Sequence, residues 1–112
     1  RASPYLVALT FVGMVAFDVK CKTTYGCQAA YVFDVPEIRR LANFDRLFRI
    51  TTFFACLAPS GADEAVWFQV EDLMILVGRR FGGVVRVRAA DGLAVDMGQP
   101  FQNALRDAIS LV

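Results

Sequence analysis

Apolar and polar positions divide the chain into short alternating runs. From Tyr5 to Lys20 the odd positions are Val7, Leu9, Phe11, Gly13, Val15, Phe17 and Val19, while the even positions begin apolar and end on Asp18 and Lys20. This pattern predicts one long strand, with one face in the core throughout and the other apolar early and wet late. Gly13 inside it marks a bulge or a sharp bend. Lys22-Thr23-Thr24-Tyr25-Gly26 reads as a turn, and Gln28 to Val35 as a returning strand. Asp34, Pro36 and Glu37 carry helix-start spacing, and Ile38, Leu41 and Ala42 supply a short apolar stripe of about two turns.

The second half repeats the alternation. Leu47 to Leu57 is β-rich, Pro59 to Asp63 is a loop, and Glu64 to Val70 is a strand that forms a hairpin with the preceding one. A helix is predicted over Glu71–Phe81, opened by Glu71 and Asp72, closed by Arg79 and Arg80, and terminated by Gly82. Its buried stripe would be Leu73, Leu76, Val77 and Phe81. In the next strand Val85 and Val87 face one side, Arg86 and Arg88 the other, and Asp91-Gly92 turns the chain into Leu93–Met97 as a hairpin. Leu105, Ala108, Ile109 and Val112 fit helix spacing, but residues 104–112 are read as a closing strand, because the sheet otherwise lacks its fifth member. The expected fold is all-β with one or two short helices, a five-stranded barrel in a single domain over 1–112. Residues 20–46 would be an inserted hairpin and short-helix connection between the first two strands.

Composition changes this picture in two ways. A hydrophobic fraction of 56% excludes disorder of the whole. A mean hydropathy of +0.45 leaves surplus apolar surface for a partner. The longest apolar run, Tyr5 to Phe17, falls short of the roughly 18 residues that a membrane helix needs. The net charge of +1 gives no general attraction to a polyanion, so nucleic-acid contact would need local clustering.

The residues that carry catalysis in other chains are missing or badly placed. There is no histidine, which removes the commonest general base and metal ligand. Cys21, Cys27 and Cys56 are odd in number and lack CxxC spacing, so free reduced thiols are expected and a zinc site is not. Gly82-Gly83 lacks the lysine of a phosphate-binding loop. Glu71-Asp72 reads as a helix start, Arg39-Arg40 as a solvated face and Cys56 as a buried inert thiol. No catalytic residue, cofactor or metal site is expected, and the chain is read as a non-enzyme. The chain opens without a secretory leader, and its abrupt start fits a processed protein or an excised domain.

Two segments carry a resemblance. Val12-Gly13-Met14-Val15-Ala16-Phe17-Asp18 looks like the V-G-x-V strand, followed by an acidic residue, of the single-stranded-DNA-binding type of OB-fold. Val66-Trp67-Phe68-Gln69-Val70 resembles that family's W-H-x-V strand, with Phe68 at the histidine and Gln69 at a basic position. A helix, a glycine step and an alternating strand follow from Glu71 to Arg88. The long first connection and the apolarity are similar to the small OB-fold interaction proteins of the kinetoplastid mitochondrial RNA-editing complex, the editosome.

The resemblance implies a non-catalytic mitochondrial subunit that assembles with other OB-fold proteins or itself, with single-stranded RNA or DNA as a further partner. Two alternatives stand beside it: a single-stranded-DNA-binding protein of organellar or phage type, and an accessory subunit of a membrane complex. OB-folds engage ligands through a basic groove with aromatic platforms. The expected nucleic-acid contacts are therefore Trp67, Arg86, Arg88, Lys20, Lys22, Tyr25, Arg49 and Phe53. Alternation along the strand would turn Trp67 outward, opposite Val66 and Phe68.

Overall fold

The computed structural model describes residues 6–10, 13–21, 23–27, 29–57, 63–99, 103 and 106. Its framework is a mixed five-stranded sheet in the order β1 (Leu6–Thr10), β2 (Gly13–Cys21), β4 (Thr51–Leu57), β5 (Glu64–Gln69), β7 (Leu93–Asp96). A separate antiparallel pair joins β3 (Ala30–Asp34) to β6 (Val84–Arg88). Helices α1 (Val35–Phe48) and α2 (Val70–Val77) pack with these strands. The expected all-β barrel is therefore corrected to an α/β arrangement with an open sheet, whose edges among the described residues are β1 and β7.

The decisive difference is the pairing of β2 with β4, which is parallel, with Val15 beside Thr51 and Cys21 beside Leu57. Parallel neighbours need a crossover of a dozen or more residues, commonly helical. Here β3 and α1 form that crossover, so the segment 20–46 is no insertion into a barrel. The single long strand expected over 5–20 is two strands. Thr10 pairs with Gly13 and Leu6 with Phe17, so the chain reverses and Gly13 starts β2. The apolar pattern continues unbroken through the reversal, so it carries no local sign of it.

Helix boundaries also shift. Helix α1 has 14 residues and buries Val35, Ile38, Leu41 and Ala42. It continues through Leu47 and Phe48, which were assigned to a strand, and stops where Arg49 adopts a left-handed conformation (φ 54°). Asp34 occupies the N-cap position without a side-chain cap bond. Helix α2 ends at Gly78 and buries Val70, Leu73 and Val77, whereas Leu76 and Phe81 are exposed. Strand β6 keeps the expected alternation, Val85 and Val87 inward and Arg86 and Arg88 outward, but its partner is β3. After a 3-10 turn over Ala89–Asp91 the chain enters β7 beside β5, so the expected hairpin of β6 with β7 does not form. Asn103 and Arg106 are helical. The rest of the expected closing strand over 104–112 lies outside the described residues. Among the described residues no helix is long and apolar enough to cross a membrane.

The sheet is buried on both faces. On one, Phe54, Cys56 and Phe68 pack with α1, α2 and the β3–β6 pair, through Phe33, Ile38, Leu41, Leu73, Val77 and Val85. On the other, Val15, Phe17, Phe53, Ala55, Ala65, Trp67 and Val95 form a second cluster. Neighbours along β4 thus serve opposite cores: Phe53 one, Phe54 the other.

The link from α1 into β4 is held by Asp45. Its Oδ2 accepts the Thr52 amide at 3.1 Å, and its carbonyl accepts the Ile50 amide at 3.2 Å. Burial raises the Asp45 carboxyl above the usual aspartate value, opposed by the Thr52 N–H; nearby Glu71 raises it further and Arg46 lowers it. The folded chain therefore binds this proton more tightly than the unfolded chain. Stability falls as pH rises from the ordinary value through the raised one, and the penalty is fully present above it. Asp45→Asn keeps an oxygen for Thr52 and removes the buried charge. Urea unfolding should show the variant more stable than the parent at pH 7, with the gap closing below about pH 4. A less stable variant at pH 7 would mean that the charge itself holds the link.

Candidate active site

Alternation along β2 divides its side chains between the two cores. Val15 and Phe17 enter the second cluster with Val19 packed against it, which turns Asp18 and Lys20 toward the α1 side. Asp18 is only 3% exposed. Lys20 Nζ stands 3.4 Å from Asp18 Oδ2 and 3.1 Å from Glu37 Oε2. Glu37 belongs to the first turn of α1, where the helix dipole favours a carboxylate. The three groups therefore come from two elements that the crossover brings together at the carboxyl end of the β2–β4 parallel pair. Crevices at such strand ends are where open α/β sheets bind ligands.

Asp18 is incompletely satisfied. Its second oxygen, Oδ1, is buried and has no hydrogen-bond partner among the described residues. Leaving a buried acceptor unpaired costs about 1–3 kcal/mol, and more for a charged group. Such a group is a marker for a functional site. Among the described residues no group of three or more Asp, Glu, His and Cys side chains could hold a metal ion by itself.

Of the residues expected at a nucleic-acid surface, Lys20 belongs to this cluster. Lys22 lies outside the described residues. Trp67 and Phe53 are corrected: both are 0% exposed. The Trp67 ring lies 5.3 Å from Phe17 and 5.7 Å from Phe53, between centroids. The alternation about Trp67 is as read, but the face it turns to is a second core, so neither ring can stack on a base. Arg49 is exposed at the end of α1 and shares no strand face with Phe53. Tyr25, Arg86 and Arg88 do come together, around an open groove of about 350 Å³ that also touches Gly26 and Cys27.

Asp18 and Glu37 were not singled out as site residues. The usable signal was the Asp18-x-Lys20 spacing, which puts an acid and a base on one strand face directly after an apolar run. Glu37 gave no such signal, because helix-start acids are common and its partner is 17 residues away.

Two substitutions separate the core role from the site role. Trp67→Ala should cost about 3–5 kcal/mol in chemical denaturation, the range for emptying a large aromatic site. Lys20→Met leaves the Asp18 carboxylate buried without its counter-ion. With Lys20 partly reached by water, the loss should sit near the lower end of the roughly 3–5 kcal/mol seen when buried pairs are broken. An unchanged midpoint for Lys20→Met would show that Asp18 does not depend on this pair.

No protein-family profile matches the sequence, and no curated protein is significantly similar to it. Among solved structures, the chain is similar to Hjc, a Holliday junction resolvase from the archaeal hyperthermophile Archaeoglobus fulgidus. The identity is 20% and the TM-score 0.57, covering 82% of this chain and 69% of that one. This likeness, with the parallel β2–β4 pair, overturns the assignment to the OB-fold, and with it the editosome, single-stranded-DNA-binding and membrane-subunit readings. The non-enzyme expectation, drawn from the missing histidine and catalytic motifs as well as from the barrel, is corrected with it, because the fold is one that a resolvase uses. The chain has the fold seen in a Holliday junction resolvase.

Proposed function

We propose that this chain is a nuclease-like DNA-processing protein, with Asp18, Lys20 and Glu37 as its catalytic group. The observation that carries the reading is the buried, unpartnered Oδ1 of Asp18 beside Lys20, at the carboxyl end of the parallel pair. The shared fold with a resolvase supports it. The reaction would be phosphodiester hydrolysis. A water oxygen bonds to phosphorus, one ester P–O bond breaks, and the departing oxygen takes up a proton.

The residues present fit a divalent cation in one specific respect: Asp18 offers a buried carboxylate oxygen with no other use, and Glu37 stands across Lys20 from it. Magnesium is typically held by one or two carboxylates, with the remaining positions filled by water and substrate phosphate. Such an ion would lower the pKa of a bound water and offset charge on the phosphate oxygens. Asp18 and Glu37 would hold it. Lys20 donates one N–H to Glu37 and pairs with Asp18 at 3.4 Å, and a further N–H can meet a phosphate oxygen. A fixed ammonium there favours the charge that builds up in the transition state over the charge of the ground state. Buried Phe54, beside Asp18 on β4, and buried Ala16, two residues before it on the same strand face, limit screening by bulk water on the Asp18 side.

The test is cleavage of labelled linear and branched DNA with Mg²⁺ or Mn²⁺, and with chelator. Cleavage should require the metal. Asp18→Asn and Lys20→Ala should each lower the rate by about 10²–10³-fold, the scale for losing one preorganised electrostatic group. Metal should also raise the melting temperature of the parent and not that of Asp18→Asn. Full activity in a folded Asp18→Asn protein, or no cleavage of any substrate by the parent, would remove the assignment.

A further inference from the structure

The groove around Tyr25, Arg86 and Arg88 lies outside the catalytic group, and three features mark it as built for a ligand. The first is an exposed aromatic: Tyr25 is 55% exposed although its backbone is pinned. Tyr25 and Ala30 exchange amide bonds at 2.7 and 2.9 Å, and the Ala89 amide donates to Ala29 at 2.9 Å. The ring is thus presented from a hairpin tied to both β3 and the turn after β6. Gly26 makes that hairpin possible by taking φ +76°, with the Arg86 guanidinium close by.

The second feature is the state of the two arginines. Arg88 is held by Asp91 through Nε to Oδ2 and NH2 to Oδ1, both at 3.1 Å. Arg86 is exposed, and it points to the same side because alternate residues of β6 face the same way. A fixed guanidinium, an open one and an exposed ring along one groove match a nucleotide, whose phosphate takes the fork and whose base takes the ring.

The third feature is position. Tyr25 follows Lys20 by five residues, so the ring's backbone lies within about 18 Å of the Lys20 backbone. At 3.4 Å per base step this is about five nucleotides along a strand.

The geometry points to this groove as a grip for unpaired nucleotides next to the cleavage site, with Tyr25 stacking on a base and Arg86 taking a phosphate. It rests on the nuclease reading for its substrate, and it narrows that substrate to DNA with an unpaired arm. A base inside a continuous duplex has no face to offer Tyr25, so stacking selects splayed or single-stranded segments. Arg86 carries no such selection, because phosphates are present in both forms.

The test is anisotropy titration of the full chain in chelator, so that nothing is cut, with a blunt duplex and a splayed duplex of equal length. The parent should prefer the splayed DNA. Tyr25→Ala should weaken splayed binding by roughly 5- to 150-fold, the range for losing one stacked base, and leave blunt binding unchanged. Tyr25→Phe should retain the preference, which a merely structural role for the hydroxyl would not predict. Arg86→Gln, at a solvent-facing position, should weaken both DNAs and lower the salt dependence by about one phosphate contact. Equal binding of both DNAs by the parent, or parent-like splayed binding by Tyr25→Ala, overturns the grip. Cleavage is scored separately: metal-dependent cutting with an indifferent Tyr25 sinks the grip alone, and a Tyr25-dependent preference without cutting sinks the nuclease reading alone.

Discussion

Strands β2 and β4 run side by side in the same direction, and two parallel strands cannot be joined by a tight turn. The chain must leave the sheet after Cys21 and re-enter at Thr51, beside Val15, at the opposite end. What it builds on the way decides the rest of the molecule. β3 gives β6 a partner, and α1 closes one face of the sheet. The start of α1 lands over the exit of β2, where Glu37 meets Lys20. Asp18 and Lys20 are adjacent for local reasons, because they are two apart on one strand. Glu37 joins them only because the crossover exists.

The same sheet is buried on both faces, and this accounts for the near-continuous apolar runs of its strands. Phe54 and Phe33 pack at 4.9 Å on the helical side, while Phe53 and Trp67 pack on the other. A central strand placed between two cores cannot alternate apolar with polar, so β4 reads as the near-continuous Thr52-Phe53-Phe54-Ala55-Cys56. Thr52, which enters this interior, is served: its hydroxyl donates to the Ile50 carbonyl at 2.9 Å and its amide to Asp45. Among the described residues Asp18 Oδ1 and the Trp67 indole Nε1 are buried without a hydrogen-bond partner, and of the two only Asp18 is an ionisable acceptor.

What could be read from the sequence follows from how local the signal is. Strands β4 and β5 are marked by β-branched and aromatic runs, β6 by alternation, the start of α2 by acidic first-turn residues and the turn near Asp91-Gly92 by glycine, all of them local signals. Pairing partners are set by contacts between distant segments, and no local pattern distinguishes β6 beside β3 from β6 beside β7. Leu47 and Phe48 have strand-like side chains yet extend α1, because the helix continues until Arg49 takes its left-handed turn. Trp67 shows the same limit. The alternation that turns it away from Phe68 was legible, but whether that side is solvent or a second core depends on the whole fold. Of the candidate site, Lys20 was visible as a cation near a strand end. Asp18 was legible only as a motif letter, and Glu37 as a helix start.

The ion cluster is poorly explained by stability alone. Desolvating a carboxylate and an ammonium costs several kcal/mol each, and their attraction offsets this only when the remaining lone pairs are also satisfied. Asp18 fails that condition through Oδ1, and apolar side chains of similar size could fill the same space at no such cost. Lys20 therefore has a double character. In the free chain it offsets the charge of Asp18 and Glu37 enough for the crossover to close over them. At the same time it pairs with both carboxylates at once, which an apolar replacement could not do. The fold thus keeps a half-satisfied acid near the exit of β2, where a second acid and a cation converge, at a cost that packing alone does not repay.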